Sequence, residues 1–365
     1  MSLPGKHSFS YYPSLDGLRG IAILLVILHH NFDFIPILKL GWIGVDLFFV
    51  LSGFLITEIL LYKKPKKHFL LNFYARRGLR ILPLYYLIVI IFFLTAPYLP
   101  ELHAQYNYYS THQVFLWTNT QNWLNILYQK PDNHMLLYHF WSLSLEEQFY
   151  LIWPLLIVII KSQKWLTRTA FIILLSCILL RIISWLYFGE GYTNYQIQSA
   201  TRVDGLCIGS LIALWKYGNP ASLNKKITAT AISIISIHII VFVLVKLFFP
   251  DTPHFRFLGF TSIAAVFGLL VWYSISHKTM LNQYFLNNKY LKWLGKISFG
   301  LYVFHWPVLV LFRICFTNRL ESYGFSRAYS YIFLSVAAVI VAIGISWISY
   351  TLFEKKFLAL KDRFS

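Results

Sequence analysis

Arg19 and His30 lie eleven residues apart in the apolar stretch LRGIAILLVILHHNF. Eleven steps of about 100° bring the two side chains to nearly the same helix face. At about 1.5 Å per residue they stand roughly 16 Å apart along the axis. That is too far for a hydrogen bond, but it suits a long ligand with an anionic head at one end and a reactive group at the other. A guanidinium and an imidazole are costly inside a bilayer, so their presence points to chemistry. A neutral imidazole takes a proton near neutral pH, which makes His30 the candidate general base. The bland alternative is a histidine satisfied by a backbone carbonyl or a neighbouring helix. His29 points about 100° away and is the weaker candidate.

Glu146 and Glu147, in YHFWSLSLEEQFYLIWP, fall by helical rise at a depth similar to that of His30 on a span running the other way. A buried carboxylate needs an imidazole, a guanidinium or a proton. A Glu–His pair would fix the imidazole tautomer and support the imidazolium. The alternatives are a protonated glutamate in helix packing, or a capping box formed by Ser144 and Glu147. FYARRGLRILPLYY supplies Arg76, Arg77 and Arg80, whose planar forks suit phosphates, although such cations also flank many membrane helices. GWIGVDLFFVLSGFLITEIL carries Asp46, Ser52 and Gly53. Asp46 is a candidate to orient an acceptor hydroxyl, or a partner for Arg181 or Arg202. Ser52 is a candidate to open space for a ligand, or simply a small residue at a helix contact. His305, two residues before Pro307, is a candidate to line the same cavity, because that proline would kink the helix and free a carbonyl. Asp204 and Glu354, near span ends, read as structural partners.

The elements that carry these residues are transmembrane helices. The 365 residues are 58% hydrophobic, 19% aromatic and only 13% charged. A soluble domain cannot hide that much apolar surface, so the chain is expected to be an all-α polytopic membrane bundle. The net charge of +18 comes from Lys and Arg placed between apolar runs, a membrane pattern and not a nucleic-acid one. Apolar runs predict about ten spans, near 15–34, 41–62, 81–99, 138–160, 168–188, 201–217, 227–249, 257–277, 293–316 and 328–353. Cations collect in alternate connections, seven of them between Lys63 and Arg80, so both termini are predicted to be cytoplasmic. Residues 100–137, rich in Tyr, Asn, Trp and His, have Lys130 as their one cation and read as an external or re-entrant cap. With no repeats or linkers, residues 1–365 are expected to form a single domain. The first apolar run reads as a retained helix, not a cleaved signal. Gly205 and Gly209 form a GxxxG read as close helix packing. Cys177, Cys207 and Cys315 each lie alone in a predicted span, so neither a disulfide nor a metal site is expected.

Taken together, the segments LDGLRGIAILLVILHH, GVDLFFVLSGFLI, FYARRGLRILPLYY, FWSLSLEEQFYLIWP, YVFHWPVL and SYTLFEKKFL resemble acyltransferase family 3, in order and over most of the chain. The resemblance implies an integral-membrane O-acyltransferase of the bacterial cytoplasmic membrane. It implies acyl-CoA, acetyl-CoA first, as a donor bound from the cytoplasm, and a hydroxyl of an extracytoplasmic carbohydrate or glycolipid as acceptor. It implies key roles for Arg19, His30, Arg77 and Arg80. Some members carry a further extracytoplasmic domain, and none is expected here. The competing reading is a transporter or flippase of a lipid-linked sugar, which predicts inverted repeats that the sequence does not show.

Overall fold

The structure, a computed structural model, describes residues 11–63, 68–128, 135–188, 199–218, 255–276 and 281–364, with Ser233 and Ile237 besides. Every regular element among them is helical. The first helix, α1 (Pro13–Asn31), starts on a proline that fits a first-turn position, and its first turn carries Asp16, which suits the positive end of the helix dipole. At its other end the Asn31 amide turns back to donate to the Ile27 carbonyl at 3.0 Å. A short 3₁₀ segment, Pro36–Trp42, leads into α2 (Ile43–Lys63).

The third helix, α3 (Phe69–Thr95), begins twelve residues before the expected 81. Apolarity alone hid this start, because Arg76, Arg77 and Arg80 interrupt the run. Arginine is a good helix former whose stem lies along apolar surface, so the helix passes straight through them. Three short helices, α4 (His103–Thr111), α5 (Val114–Trp117) and α6 (Gln121–Leu127), lie in the segment 100–137. The long helices then resume with α7 (Trp141–Ile159) and α8 (Gln163–Phe188). A single turn, α9 (Ser199–Arg202), precedes α10 (Asp204–Gly218) and α11 (Phe260–Ser276). The last elements are α12 (Lys289–Ser322), α13 (Arg327–Ser349) and, after a π-helical turn at Tyr350–Glu354, α14 (Lys355–Ala359).

Seven helices among the described residues are long and apolar enough to cross a membrane. The chain is thus an all-helical, multi-pass membrane protein. Of the other predicted spans, 227–249 lies outside the described residues apart from Ser233 and Ile237, and Lys130 lies outside them too. The span near 201–217 is a helix of only 15 residues, and α1 carries Asp16, Arg19, His29 and His30 among its apolar residues. Large apolar side chains such as Leu151, Ile159, Ile172 and Leu175 stand exposed on α7 and α8, as a lipid solvent permits.

The chain divides into two compact units. The first comprises Met1–Arg19, Asp46–Leu70 and Gln148–Lys292; the second comprises Gly20–Val45, Leu71–Glu147 and Trp293–Ser365. In the first, α10 packs against both α8 and α11. It also meets α2 backbone to backbone: a Cβ on Gly53 would lie 2.0 Å from the Leu206 carbonyl oxygen, and one on Gly209 2.1 Å from that of Val50. Polar bonds lock the same seam, with Trp153 Nε1 donating to Thr57 Oγ1 at 2.8 Å and Thr57 Oγ1 donating to Ser210 Oγ at 2.9 Å. In the second unit the end of α5 and the turn after it are tied to α3 and α7. Tyr85 and Tyr86 hydroxyls donate to the Leu116 and Trp117 carbonyls at 2.8 and 2.9 Å, and Ser144 Oγ donates to Asn119 Oδ1 at 2.9 Å.

Candidate active site

In the second unit the last turn of α1 and the middle of α12 bring two imidazoles together. His305 Nε2 lies 3.1 Å from His30 Nδ1. The other nitrogen of His305, Nδ1, faces two carbonyl oxygens of its own helix, Tyr302 at 2.6 Å and Leu301 at 3.2 Å. The Trp306 ring lies 4.9 Å from that of His30, and its Nε1 donates to the Met135 carbonyl at 2.8 Å. His305 is 1% exposed, whereas His30 keeps a partly accessible surface. Half-buried His30 is therefore backed by a buried imidazole.

A third imidazole closes the group. Pro307 has no N–H, so the carbonyl four residues earlier, that of Val303, loses the helical donor it would otherwise have. His139, at the entry to α7, takes that place with Nε2 at 3.3 Å from the Val303 oxygen. The His139 ring stands nearly edge-on to His305, with centroids 5.4 Å apart. The His139 carbonyl in turn faces the Tyr302 and Ser142 hydroxyls at 3.1 and 3.2 Å, and those hydroxyls also meet each other. Sequence reading named Pro307 and its freed carbonyl but missed His139, Ser142, Tyr302 and Trp306. His139 was open to view as a histidine heading an apolar run in YHFWSLS.

Glu146 acts electrostatically on the Tyr302 hydroxyl, and Glu147 on Arg77. His305, and neither Glu146 nor Glu147, holds the hydrogen-bond position beside His30. Glu147 lies under the charges of Arg77 and Glu146, and its Oε1 is buried without a hydrogen-bond partner. Arg80 acts in the same way on Glu354, whose Oε1 accepts from Ser349 Oγ at 3.1 Å. Arg76 Nε donates to the Asn72 carbonyl at 3.2 Å. The basic start of α3 is thus partly balanced by carboxylates of the same unit. His29 turns toward the backbone of Leu38 and Lys39.

The remaining predicted residues belong to the first unit. Arg19 pairs with Asp16 one turn earlier at 3.2 Å. Asp16 also accepts from the Tyr11 hydroxyl, and that hydrogen bond, more than burial, pushes the phenol up to about 12. Asp46 is buried in an ion pair with Arg202 at 2.8 Å, beside a second buried pair of Arg181 with Asp204. Arg181 also donates to the Thr201 and Phe257 carbonyls at 2.8 and 2.7 Å. Two acids against two arginines leave this cluster neutral. The structure therefore gives Asp46 the pairing role that was its alternative in the sequence. Ser52 is half-buried in α2 beside the close contact at Gly53. A cavity of about 600 Å³ between α8, α10 and α11 is lined by apolar groups such as Phe171, Ile208, Trp215 and Trp272, and none of the predicted site residues faces it. Among the described residues no cluster of three or more His, Cys, Asp or Glu is arranged to hold a metal.

Comparison with known proteins agrees with the motif order. A family model described as an acyltransferase domain matches residues 12–351. The chain is 31% identical to the peptidoglycan O-acetyltransferase OatA of Listeria monocytogenes serovar 1/2a, over 84% of this chain and 50% of that protein. It is 32% identical to the O-acetyltransferase OatA of Staphylococcus aureus strain NCTC 8325, over 98% of this chain and 60% of that protein. The chain spans only about half to three-fifths of the length of these relatives. No solved structure matches it.

Proposed function

This chain belongs to the acyltransferase domain family, and on that premise we propose that it is a membrane-bound O-acetyltransferase. It moves an acetyl group from cytoplasmic acetyl-CoA to a hydroxyl of an extracytoplasmic carbohydrate or glycolipid. The names of its relatives make peptidoglycan the first acceptor to try. The setting is the bacterial cytoplasmic membrane, with both termini inside and residues 100–137 as the external cap of one transmembrane acyltransferase domain.

The observation that carries this reading is half-buried His30, its ring hydrogen-bonded to a buried neighbour. Such a ring is held in one orientation and can act as base toward a group that approaches it. The acceptor hydroxyl gives its proton to His30 as its oxygen attacks the thioester carbonyl carbon. The C–S bond then breaks, the acetyl group stays on the acceptor oxygen, and the CoA thiolate takes the proton back from the imidazolium. Arg76, Arg77 and Arg80 at the start of α3 supply charge and planar donors for the donor's phosphates. Glu147 and Glu354 hold Arg77 and Arg80 against that need, at the expense of some anion affinity.

The test is transfer of radiolabelled acetyl groups from acetyl-CoA to peptidoglycan fragments by the purified protein in lipid vesicles. His30→Gln is expected to lower kcat by roughly 10²–10⁴-fold, the usual span for loss of a general base. Arg77→Ala with Arg80→Ala is expected to raise the KM for acetyl-CoA far more than it lowers kcat. Wild-type activity in His30→Gln would sink the reading of His30. Failure of the wild type to consume acetyl-CoA with any acceptor would favour transport of a lipid-linked sugar.

A further inference from the structure

We propose that His305 is a positioning residue that holds the proton of His30 on Nδ1 and so leaves the lone pair on Nε2. The proposal rests on the reading of His30 as the base, and it adds which nitrogen does the work and what selects it.

The selection starts from the backbone. His305 Nδ1 faces the carbonyl oxygens of Tyr302 and Leu301, which can only accept, so this nitrogen carries a hydrogen. The ring is buried, and none of the ion pairs among the described residues involves it. A second ring proton would make a buried cation without a counter-ion, which is strongly disfavoured. With one proton per ring, His305 Nε2 is therefore an acceptor. It lies 3.1 Å from His30 Nδ1, and two bare nitrogens cannot bond, so His30 Nδ1 must donate. The Val26 carbonyl one turn earlier also meets the His30 ring and can only accept; on Nδ1 the hydrogen serves both it and His305, and the lone pair sits on Nε2. Of His30, His139 and His305, His30 is also the one residue that is not fully buried.

The chain of assignments runs from two helix carbonyls, through a buried imidazole, to the nitrogen that meets the substrate. It replaces the carboxylate that more commonly orients such a base. A buried carboxylate beside His30 would hold the imidazolium more tightly. A neutral imidazole sets the tautomer without trapping the charge, so the proton can pass on to the leaving thiolate. Pro307 helps, since the carbonyl it frees goes to His139, which packs against the other side of His305.

Two variants and one spectrum test this. His305→Gln keeps a carbonyl oxygen near the position of Nε2 that can accept from His30, whereas His305→Phe fills the space and accepts nothing. Activity of the glutamine variant is expected to stay within about tenfold of wild type, while the phenylalanine variant loses roughly 10³–10⁴-fold in kcat with little change in the KM for acetyl-CoA. In ¹⁵N spectra of histidine-labelled protein in lipid, assigned by difference from His30→Gln, His30 should be protonated at Nδ1 and bare at Nε2. That signature should become mixed in His305→Phe. A glutamine variant as inactive as the phenylalanine one would mean that His305 itself carries protons or substrate. A wild-type spectrum with His30 protonated at Nε2 would overturn the proposal outright. If His305→Phe does not fold, the glutamine variant and the wild-type spectrum decide alone. Should His30→Gln be active while the spectrum shows the Nδ1 tautomer, the base reading fails and the tautomer assignment stands.

Discussion

One missing hydrogen organises the site. Pro307 cannot donate to Val303, and a buried carbonyl left unpaired costs about 1–3 kcal/mol, so His139 becomes a structural necessity. His139→Phe is expected to lower stability by about that amount in detergent. Pro307→Ala restores a backbone donor to Val303, so His139→Phe should cost less in that background, with a coupling of about 1 kcal/mol. Denaturation of the four proteins of this cycle checks it, and simple additivity would mean that the His139–Val303 bond carries no stability. The freed carbonyl was legible in the sequence, because it follows from proline's chemistry alone. The residue that fills it was not, because His139 and Val303 are 164 positions apart. That His305 and not a glutamate stands 3.1 Å from His30 was hidden for a related reason. Helical rise gives the depth of Glu147 and His30 but not which way each side chain faces. At that depth His305 faces His30, while Glu147 feels Arg77 and the Tyr85 and Tyr86 hydroxyls.

At the scale of elements, close approach matters more than hydrophobicity. The α2–α10 seam depends on Gly53 and Gly209, where a single Cβ would sit well inside the van der Waals contact distance of a backbone oxygen. Backbone cannot swing aside as a side chain does, so Gly209→Ala should destabilise by about 1–3 kcal/mol or more. Gly344 in α13 has nothing within 4 Å of where its Cβ would be. There Gly344→Ala removes the flexibility of a helical glycine and should be neutral or stabilising by up to about 1 kcal/mol. Thermal unfolding of the two variants in one detergent tests the contrast, and equal shifts would mean that the seam does not depend on glycine. The GxxxG pattern made part of this seam readable, but its partner on α2 was not. A small-residue motif advertises a contact without naming the other helix. The start of α3 shows the opposite limit: an apolar run marks where a helix can sit in lipid, not where its hydrogen bonding begins.

At the scale of the whole molecule the mechanism depends on sidedness. Long apolar runs and alternating clusters of cations made a multi-pass helical protein legible from composition alone. Orientation follows from the bias in charge, and chemical labelling reads it directly. The interaction of Arg80 with Glu354 ties the start of α3 to the end of the chain, so Lys355 reports the side on which Arg76, Arg77 and Arg80 lie. Exposed Val114 in α5 reports the side of the cap. In a background where Cys177, Cys207 and Cys315 are replaced by Ala, Val114→Cys should react with a membrane-impermeant thiol reagent in intact cells. Lys355→Cys should react only after the membrane is opened. Acyl-CoA is a cytoplasmic metabolite, and a protein with this arrangement presents its arginines to that pool and its cap to the wall. The reversed pattern would turn the arginines toward a compartment without the donor. The acetyl-CoA proposal would then fall even if His30 and His305 proved essential, because the base would remain and its donor would be on the wrong side.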